Sequence, residues 1–410
     1  MKKTNLSKAV VVVCVILVGA GVVFAADWPQ WRGPNRDGKV SDFKAPAKWP
    51  KELTEKWKVT VGSGDASPAL VGDRLYVFTR QGSEEVTTCL NAGYGKKIWE
   101  NKYEAQEVTG AARRHPGPRS TLAVAEGKVV TLGVGGVLSC LDAGSGKLVW
   151  RKDPYPKLVP TFFTATSPII VDGMAIGHLG KAGNGGIIAY GLTSGEEKWR
   201  WAAEGPEYSS PVVLTAGGVK QIVTLTEKNI VGIGAADGKL LWKLPFAPAR
   251  RAYNAATPIV DGDTVIYTGA GRGTKAVKIE KKDDGFAAKE LWSNGDLAPQ
   301  YNTPVLRDGF LFGLSNRSNL FCINAETGQA AWTDSASHGR GGFGAIVSAG
   351  GCLLALPSSS ELIVFKPDGK AYGEIARYKV SETAIYAHPV LAGNRIFVKD
   401  QESVALYMVE

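Results

Sequence analysis

Methionine and histidine are scarce in this 410-residue chain, at three and four copies, and cysteine occurs five times. No CxxC, no CxxCH and no adjacent cysteine pair is present, which removes zinc-ribbon, thioredoxin-like and c-type haem chemistry. His115, His178, His338 and His388 lack the close pairing of a zinc site. There is no HExxH, no P-loop and no Gly-x-Ser-x-Gly elbow in a strand-to-helix setting. Gly269-Ala270-Gly271-Arg272-Gly273 is glycine-rich, but no helical pattern follows it, so it does not read as a nucleotide loop. Beyond the first residues no segment has a convincing amphipathic helical period.

The N-terminus reads as a secretory signal. Lys2, Lys3 and Lys8 precede an apolar run over 9–24, and Val23 and Ala25 put small residues at a cleavage site after Ala25. The run is short for a span of about 20 residues. Cys14 lies inside it, preceded by valines rather than by the small residues of a lipoprotein site. The expectation is cleavage and a periplasmic or secreted protein with no stable membrane span. Loss of three lysines lowers the formal charge from +9 to +6, too little for a dedicated nucleic-acid binder.

What the chain has in plenty is glycine, 50 copies, and tryptophan, 11 copies. A repeat explains both. Turn-plus-tryptophan endings close at Trp99, Trp150, Trp199, Trp242 and Trp332, Trp292 ends a longer hairpin, and Trp57 stands on an N-terminal strand that resembles such an ending. Their period of about 40–50 residues suits four-stranded propeller blades. Tyr378 is a loose substitute after Pro367-Asp368-Gly369-Lys370. Eight starts match these endings: Ser67-Pro68, Ser120-Thr121, Ser167-Pro168, Ser210-Pro211, Thr257-Pro258, Thr303-Pro304, Gly344-Ala345 and His388-Pro389. Proline is tolerated at the first residue of a strand, and a glycine turn follows each start. Cys89, Cys140 and Cys322 hold one repeat position. They fall on separate blades, too far apart to bridge, and are expected to be buried thiols.

The ends complement each other. Segment 53–59 resembles a last strand without its first three, and 389–410 resembles three strands without a last. Joined, they complete an eighth blade and remove the open sheet edges. The expected architecture is all-β, an eight-bladed propeller over 51–410. A signal occupies 1–25, and an extended segment over 26–50 packs on the propeller. The Trp28 and Trp31 aromatics are expected against its outside.

The Asp-Ala-x-Thr-Gly-Lys-x-x-Trp ending resembles the tryptophan-docking repeat of the pyrroloquinoline-quinone (PQQ)-like propellers. That family includes quinoprotein alcohol dehydrogenases and the outer-membrane assembly factor BamB. The opening Asp27-Trp28-Pro29-Gln30-Trp31-Arg32-Gly33-Pro34-Asn35-Arg36-Asp37-Gly38 looks like the start of a non-dehydrogenase branch. The resemblance implies that Trp57, Trp99, Trp150, Trp199, Trp242, Trp292 and Trp332 dock blade on blade. In the family's dehydrogenases an aspartate base, a calcium ion and a vicinal disulfide surround the quinone. The disulfide pair is missing here, and no motif assigns the base or the calcium ligands. No cofactor is therefore expected, with PQQ and calcium as the alternative.

Topology sorts the loops. If strands run a to d outward, the a–b and c–d turns share one face, and the d–a and b–c loops share the other. The second face is rich in cations and aromatics: Arg113, Arg114, His115 and Arg119; His178 and Lys181; Arg250, Arg251 and Tyr253; Arg272; Arg317; His338 and Arg340. Tyr155, Phe162, Tyr208, Tyr301 and Tyr386 stand near the same rim. Arginine forks bind carboxylate, sulfate or phosphate. The expected role is a non-catalytic, monomeric envelope scaffold that binds a protein partner, an anionic saccharide or a peptide carboxylate. The rival is an enzyme using the same funnel, quinone-dependent or otherwise.

Overall fold

A computed structural model describes residues 27–283 and 285–409; the expected signal segment lies outside them. Eight four-stranded antiparallel sheets form eight blades. In blade two, Ala123–Ala125, Lys128–Leu132, Leu138–Asp142 and Leu148–Lys152 run outward in chain order. The middle strands are buried on both faces, whereas on the outermost only Trp150 is buried. This is why the middle strands read as unbroken apolar runs. Among the described residues the only helical turn is the 3-10 segment Gly110–Arg114. No helix there is long and apolar enough to cross a membrane.

The ring closes as the terminal fragments suggested. Thr54–Thr60 is the fourth strand beside Val390–Ala392, Arg395–Lys399 and Ser403–Met408, with Trp57 opposite Leu406. Closure satisfies strand edges that would otherwise invite pairing with other chains.

Neighbouring blades are joined at the outer rim through indoles. Trp57, Trp99, Trp150, Trp199 and Trp292 donate to Ala92, Ala143, Leu192, Ala235 and Ala325 carbonyls of the next blade, at 2.8–3.2 Å. Trp332 reaches Asp368 O at 2.8 Å. A glycine seats the ring: a Cβ on Gly146 would stand 2.4 Å from Trp99. Trp242 departs from the pattern and donates to Gln221 Oε1 of its own blade at 2.6 Å. The physical reason is the next blade, whose Gly273–Lys282 and Gly285–Asn294 form a long hairpin in place of the short glycine turn. Cys89, Cys140, Cys322 and Cys352 are free and buried, and burial raises each thiol's pKa.

Near the axis the strand-start hydroxyls make a second belt. Backbone N–H groups of Ser67, Thr121, Ser167, Thr257 and His388 donate to the hydroxyls of Thr121, Ser167, Ser210, Thr303 and Ser67, at 2.7–3.1 Å. Each bond crosses from one blade to the next. The Ser/Thr-Pro pairs therefore fasten blades as well as starting strands.

The N-terminal strap corrects one expectation. Its tryptophans do not lie outside the propeller; the segment threads the axial channel. Trp28 pairs with Leu70 of blade one, and Val124 of blade two donates to Pro29 O. Arg36 donates to Ser167 and Pro168 carbonyls of blade three at 3.2 Å. Trp31 donates to Thr257 of blade five at 2.9 Å, and Arg32 to Thr303 and Pro304 carbonyls of blade six at 2.8 and 2.9 Å. Lys39–Val40 adds a parallel strand to blade seven, and Lys44 donates to Gly393 O of blade eight. Trp28 and Arg32 are 0% exposed. Arg32 and Arg36 adopt left-handed φ of 60° and 58°, a strain tolerated only where surroundings over-determine the backbone.

Candidate functional site

The strap turns the channel into a cup. On the loop face a 470 Å³ cavity is floored by Trp31, with Ser210, Thr303 and His388 around it. Gln30, Pro34, Asn35 and Arg36 border a separate cavity on their other side. The indole of Trp31 meets the His388 ring edge-to-face, centroids 4.5 Å apart. His388 is 2% exposed, its Nδ1 is enclosed without a partner, and burial drives its pKa well below the ordinary histidine value. The imidazole is therefore neutral at physiological pH.

Every d–a loop contributes to the wall. Two residues before Ser67, Thr121, Ser167, Ser210, Thr257, Thr303, Ala345 and His388, the equivalent residues of the eight blades, stand Asp65, Arg119, Ala165, Tyr208, Ala255, Tyr301, Phe343 and Tyr386, and all eight line the cavity. Where that position is alanine, a ring from further back in the loop, Phe162 or Tyr253, leans in. Tyr208 and Tyr253 meet edge-to-face at 5.5 Å, as do Phe162 and Tyr253 at 5.4 Å. Tyr301 and Phe343 stack at 4.1 Å, and Tyr386 joins Phe343 to His115 through edge contacts at 5.4 and 5.0 Å. The Tyr208 hydroxyl accepts from the Phe162 N–H at 3.0 Å. Burial raises the Tyr208, Tyr301 and Tyr386 phenols, which stay neutral.

Charge gathers in one corner. His115 Nδ1 lies 2.8 Å from Asp65 Oδ2. Arg119 Nη2 donates to His115 O at 2.6 Å, while its Nη1 is enclosed without a partner. Arg114 is exposed on the rim. The loop carrying Asp65 is held by buried Lys399, whose ammonium donates to Gly64, Asp400 and Gln401 carbonyls at 2.7–3.2 Å. Desolvation lowers that lysine's pKa to about 8.

Of the thirteen cationic and aromatic residues expected on this face, Arg114, His115, Arg119 and Tyr253 line the cavity. Arg113, Lys181, Arg250, Arg251, Arg317 and Arg340 are exposed outside it. His178 is a core residue, 1% exposed, with Nε2 3.3 Å from Glu204 O and a pKa lowered by burial to about 4. Arg272 lies over Phe246 at 4.0 Å and donates to Phe246 O and Asn254 Oδ1. His338 is buried against Asp334 at 2.5 Å. Tyr155 stands apart beside Arg200. Sequence reasoning did not place Asp65 or Trp31 in the site. The signal for Asp65 was its offset of two residues before Ser67-Pro68, the same as that of Tyr208, Tyr301 and Tyr386 before their strand starts.

The quinone alternative makes a chemical demand. Calcium takes about six to eight oxygen ligands, mostly carboxylates and carbonyls. The cavity offers one carboxylate, Asp65, already engaged by His115. Among the described residues no three His, Cys, Asp or Glu side chains converge. This donor set does not fit a calcium–quinone pair.

Comparisons with known proteins place the fold. A family model described as outer membrane protein assembly factor BamB matches residues 82–334. BamB of Burkholderia pseudomallei is 22% identical over 366 residues, covering 86% of each chain. A quinohemoprotein alcohol dehydrogenase of Comamonas testosteroni is 28% identical over 169 residues, 39% of this chain and 23% of that one. The solved structure of that dehydrogenase superposes with a TM-score of 0.71 at 14% identity, over 95% of this chain and 81% of that one. BamB of Moraxella catarrhalis gives 0.65 at 14% identity, over 87% and 99%. The match to the family model and the eight blades, seven of them tryptophan-ended, lead to one conclusion: this chain belongs to the PQQ-like β-propeller family of BamB-like proteins.

Proposed function

We propose that this protein is a non-catalytic scaffold of the cell envelope that holds a partner in its axial funnel. The observation that carries the proposal is the wall itself. Eight equivalent loop positions converge on one cavity, and what they supply is ring surface with a charged corner, an arrangement suited to holding a ligand. Family membership and the BamB relatives support a role in outer-membrane assembly, and the signal-like N-terminus supports a periplasmic location. Outside the cavity, Arg113, Arg250, Arg251 and Arg340 would attract an acidic partner to the same face.

The test is capture from envelope extract. A Tyr208→Ala/Tyr301→Ala/Tyr386→Ala variant should lose bound partners. A Lys147→Ser/Lys239→Ser variant, altered on the opposite face, should keep them. Identical captured sets would overturn the assignment. The dehydrogenase relatives favour a second reading, quinone-dependent oxidation. Adding PQQ and calcium should leave no quinone absorbance on the protein after gel filtration. Retained absorbance with alcohol-dependent dye reduction would replace the scaffold by an enzyme.

A further inference from the structure

The funnel's eight loops are chemically unequal, and the inequality has a direction. Six consecutive loops, from between blades two and three to between blades seven and eight, supply Phe162, Tyr208, Tyr253, Tyr301, Phe343 and Tyr386. The two remaining loops supply Asp65, Arg114, His115 and Arg119. The wall is thus an apolar crescent closed by one polar corner.

Within the corner the charges do not cancel. Asp65, 2.8 Å from His115, is one carboxylate against the two guanidiniums of Arg114 and Arg119. Arg119 is fixed by its bonds to the Ala112 and His115 carbonyls, yet its Nη1 has no partner. An enclosed donor left unpaired is costly, and an incoming oxyanion at this corner would relieve it with a charge-assisted bond. The crescent has a different need. Its rings pack edge-to-face or stacked on one another. Phe162 and Phe343 carry no hydroxyl, and the Tyr208 hydroxyl already accepts from Phe162. The crescent thus offers mainly ring surface, with the hydroxyls of Tyr253, Tyr301 and Tyr386 at its edges.

We infer that the funnel takes an aromatic side chain of a partner polypeptide, inserted against the crescent, whose neighbouring carboxylate pairs with Arg114 and Arg119. The carboxylate comes either from the chain end or from an adjacent acidic residue; both present the same group close to a ring. This inference rests on the scaffold assignment above and narrows it to one class of occupant.

Calorimetry with synthetic hexapeptides on the purified protein tests it. One peptide ends in phenylalanine with a free carboxylate, a second is its C-terminal amide, and a third ends in alanine. A fourth carries an internal Phe-Glu pair with both ends blocked. The free-acid phenylalanine peptide or the internal Phe-Glu peptide should bind at least tenfold tighter than the amide and alanine peptides. Which of the two binds identifies the source of the carboxylate. Arg114→Gln, on an exposed side chain, should shrink the acid-over-amide ratio; Arg119→Gln should remove it. Tyr301→Ala/Phe343→Ala should weaken acid and amide peptides alike. Equal affinities for all four peptides, or preferential binding of oligoglucuronate with the same arginine dependence, would overturn the inference. If the peptides fail while capture from extract still requires the funnel rings, this inference falls and the scaffold assignment stands. If both fail, the scaffold assignment falls with it.

Discussion

On the turn face of the propeller a glycine lies under the indole of the preceding blade, and a Cβ at Gly146 would stand 2.4 Å from the Trp99 ring. On the loop face, the equivalent position in the eight blades, Asp65, Arg119, Ala165, Tyr208, Ala255, Tyr301, Phe343 and Tyr386, holds aspartate, arginine, alanine, tyrosine or phenylalanine. The loop position recurs in all eight repeats, and the turn glycine packed on an indole in five, at Gly95, Gly146, Gly195, Gly238 and Gly328. They differ in what surrounds them. The turn glycine is enclosed by a neighbouring blade, so interior packing density leaves no room for another side chain. The loop residue faces the axial cup, where no backbone limits its size or charge. Uniformity thus marks contact between repeats, and variety marks the surface left to function.

Four measurements would break or sharpen that contrast. The largest effect is expected at the strap, the piece that belongs to neither face. Trp28→Ala empties a fully enclosed site and should cost about 3–5 kcal/mol in denaturant unfolding; a loss below about 1 kcal/mol would show that the axis does not depend on it. Next, Gly146→Ala combines a left-handed φ of 71° with the clash on Trp99 and should cost about 2–4 kcal/mol. Gly127→Ala, with φ 69° but open space around it, should cost only about 1 kcal/mol. Equal costs would mean that backbone conformation alone, and not the neighbouring blade, sets the turn residue.

The third measurement concerns acid. His178 is held neutral, its pKa lowered from 6.5 to about 4 by burial. The unfolded chain takes up a proton that the folded one refuses, so this stability is present above pH 6.5 and is lost as pH falls toward 4. His178 should lower the unfolding free energy by about 2 kcal/mol from pH 7 to 5, buried His388 adds a drop of the same sign, and His178→Gln should remove the His178 share of the slope. An unchanged slope would show that His178 does not govern it. The smallest effect belongs to Arg113, Arg250 and Arg251. They are exposed, and their replacement by serine should change stability by less than about 0.5 kcal/mol. A larger loss would make them part of the fold rather than of the open face.

The closure of blade eight was legible because complementary fragments at the two ends are a one-dimensional pattern, and Trp57 pairs as that pattern requires. The loop face was legible as a face. Its cavity was not, because long cations take the nearest partner. Arg272 is drawn over Phe246 of the preceding loop, and His338 turns back to Asp334 four residues earlier, choices that face assignment from strand order does not reveal. Trp242 shows the same limit in the outer belt, since its exceptional partner follows from the hairpin length of the next blade. The strap left no trace of its path. Arg32 and Arg36 bind backbone carbonyls, and a carbonyl has no residue signature.

The spacing of indoles, glycines and strand starts by itself determined blade number, strand order and the joining of the ends, because each repeat meets only its neighbours and repeats the same contacts. Only the tertiary structure decided that the N-terminal segment plugs the axis and that rings and arginines divide the cup unequally. The axis comes into being when the ring shuts, and the groups that face it are then chosen by all eight blades at once.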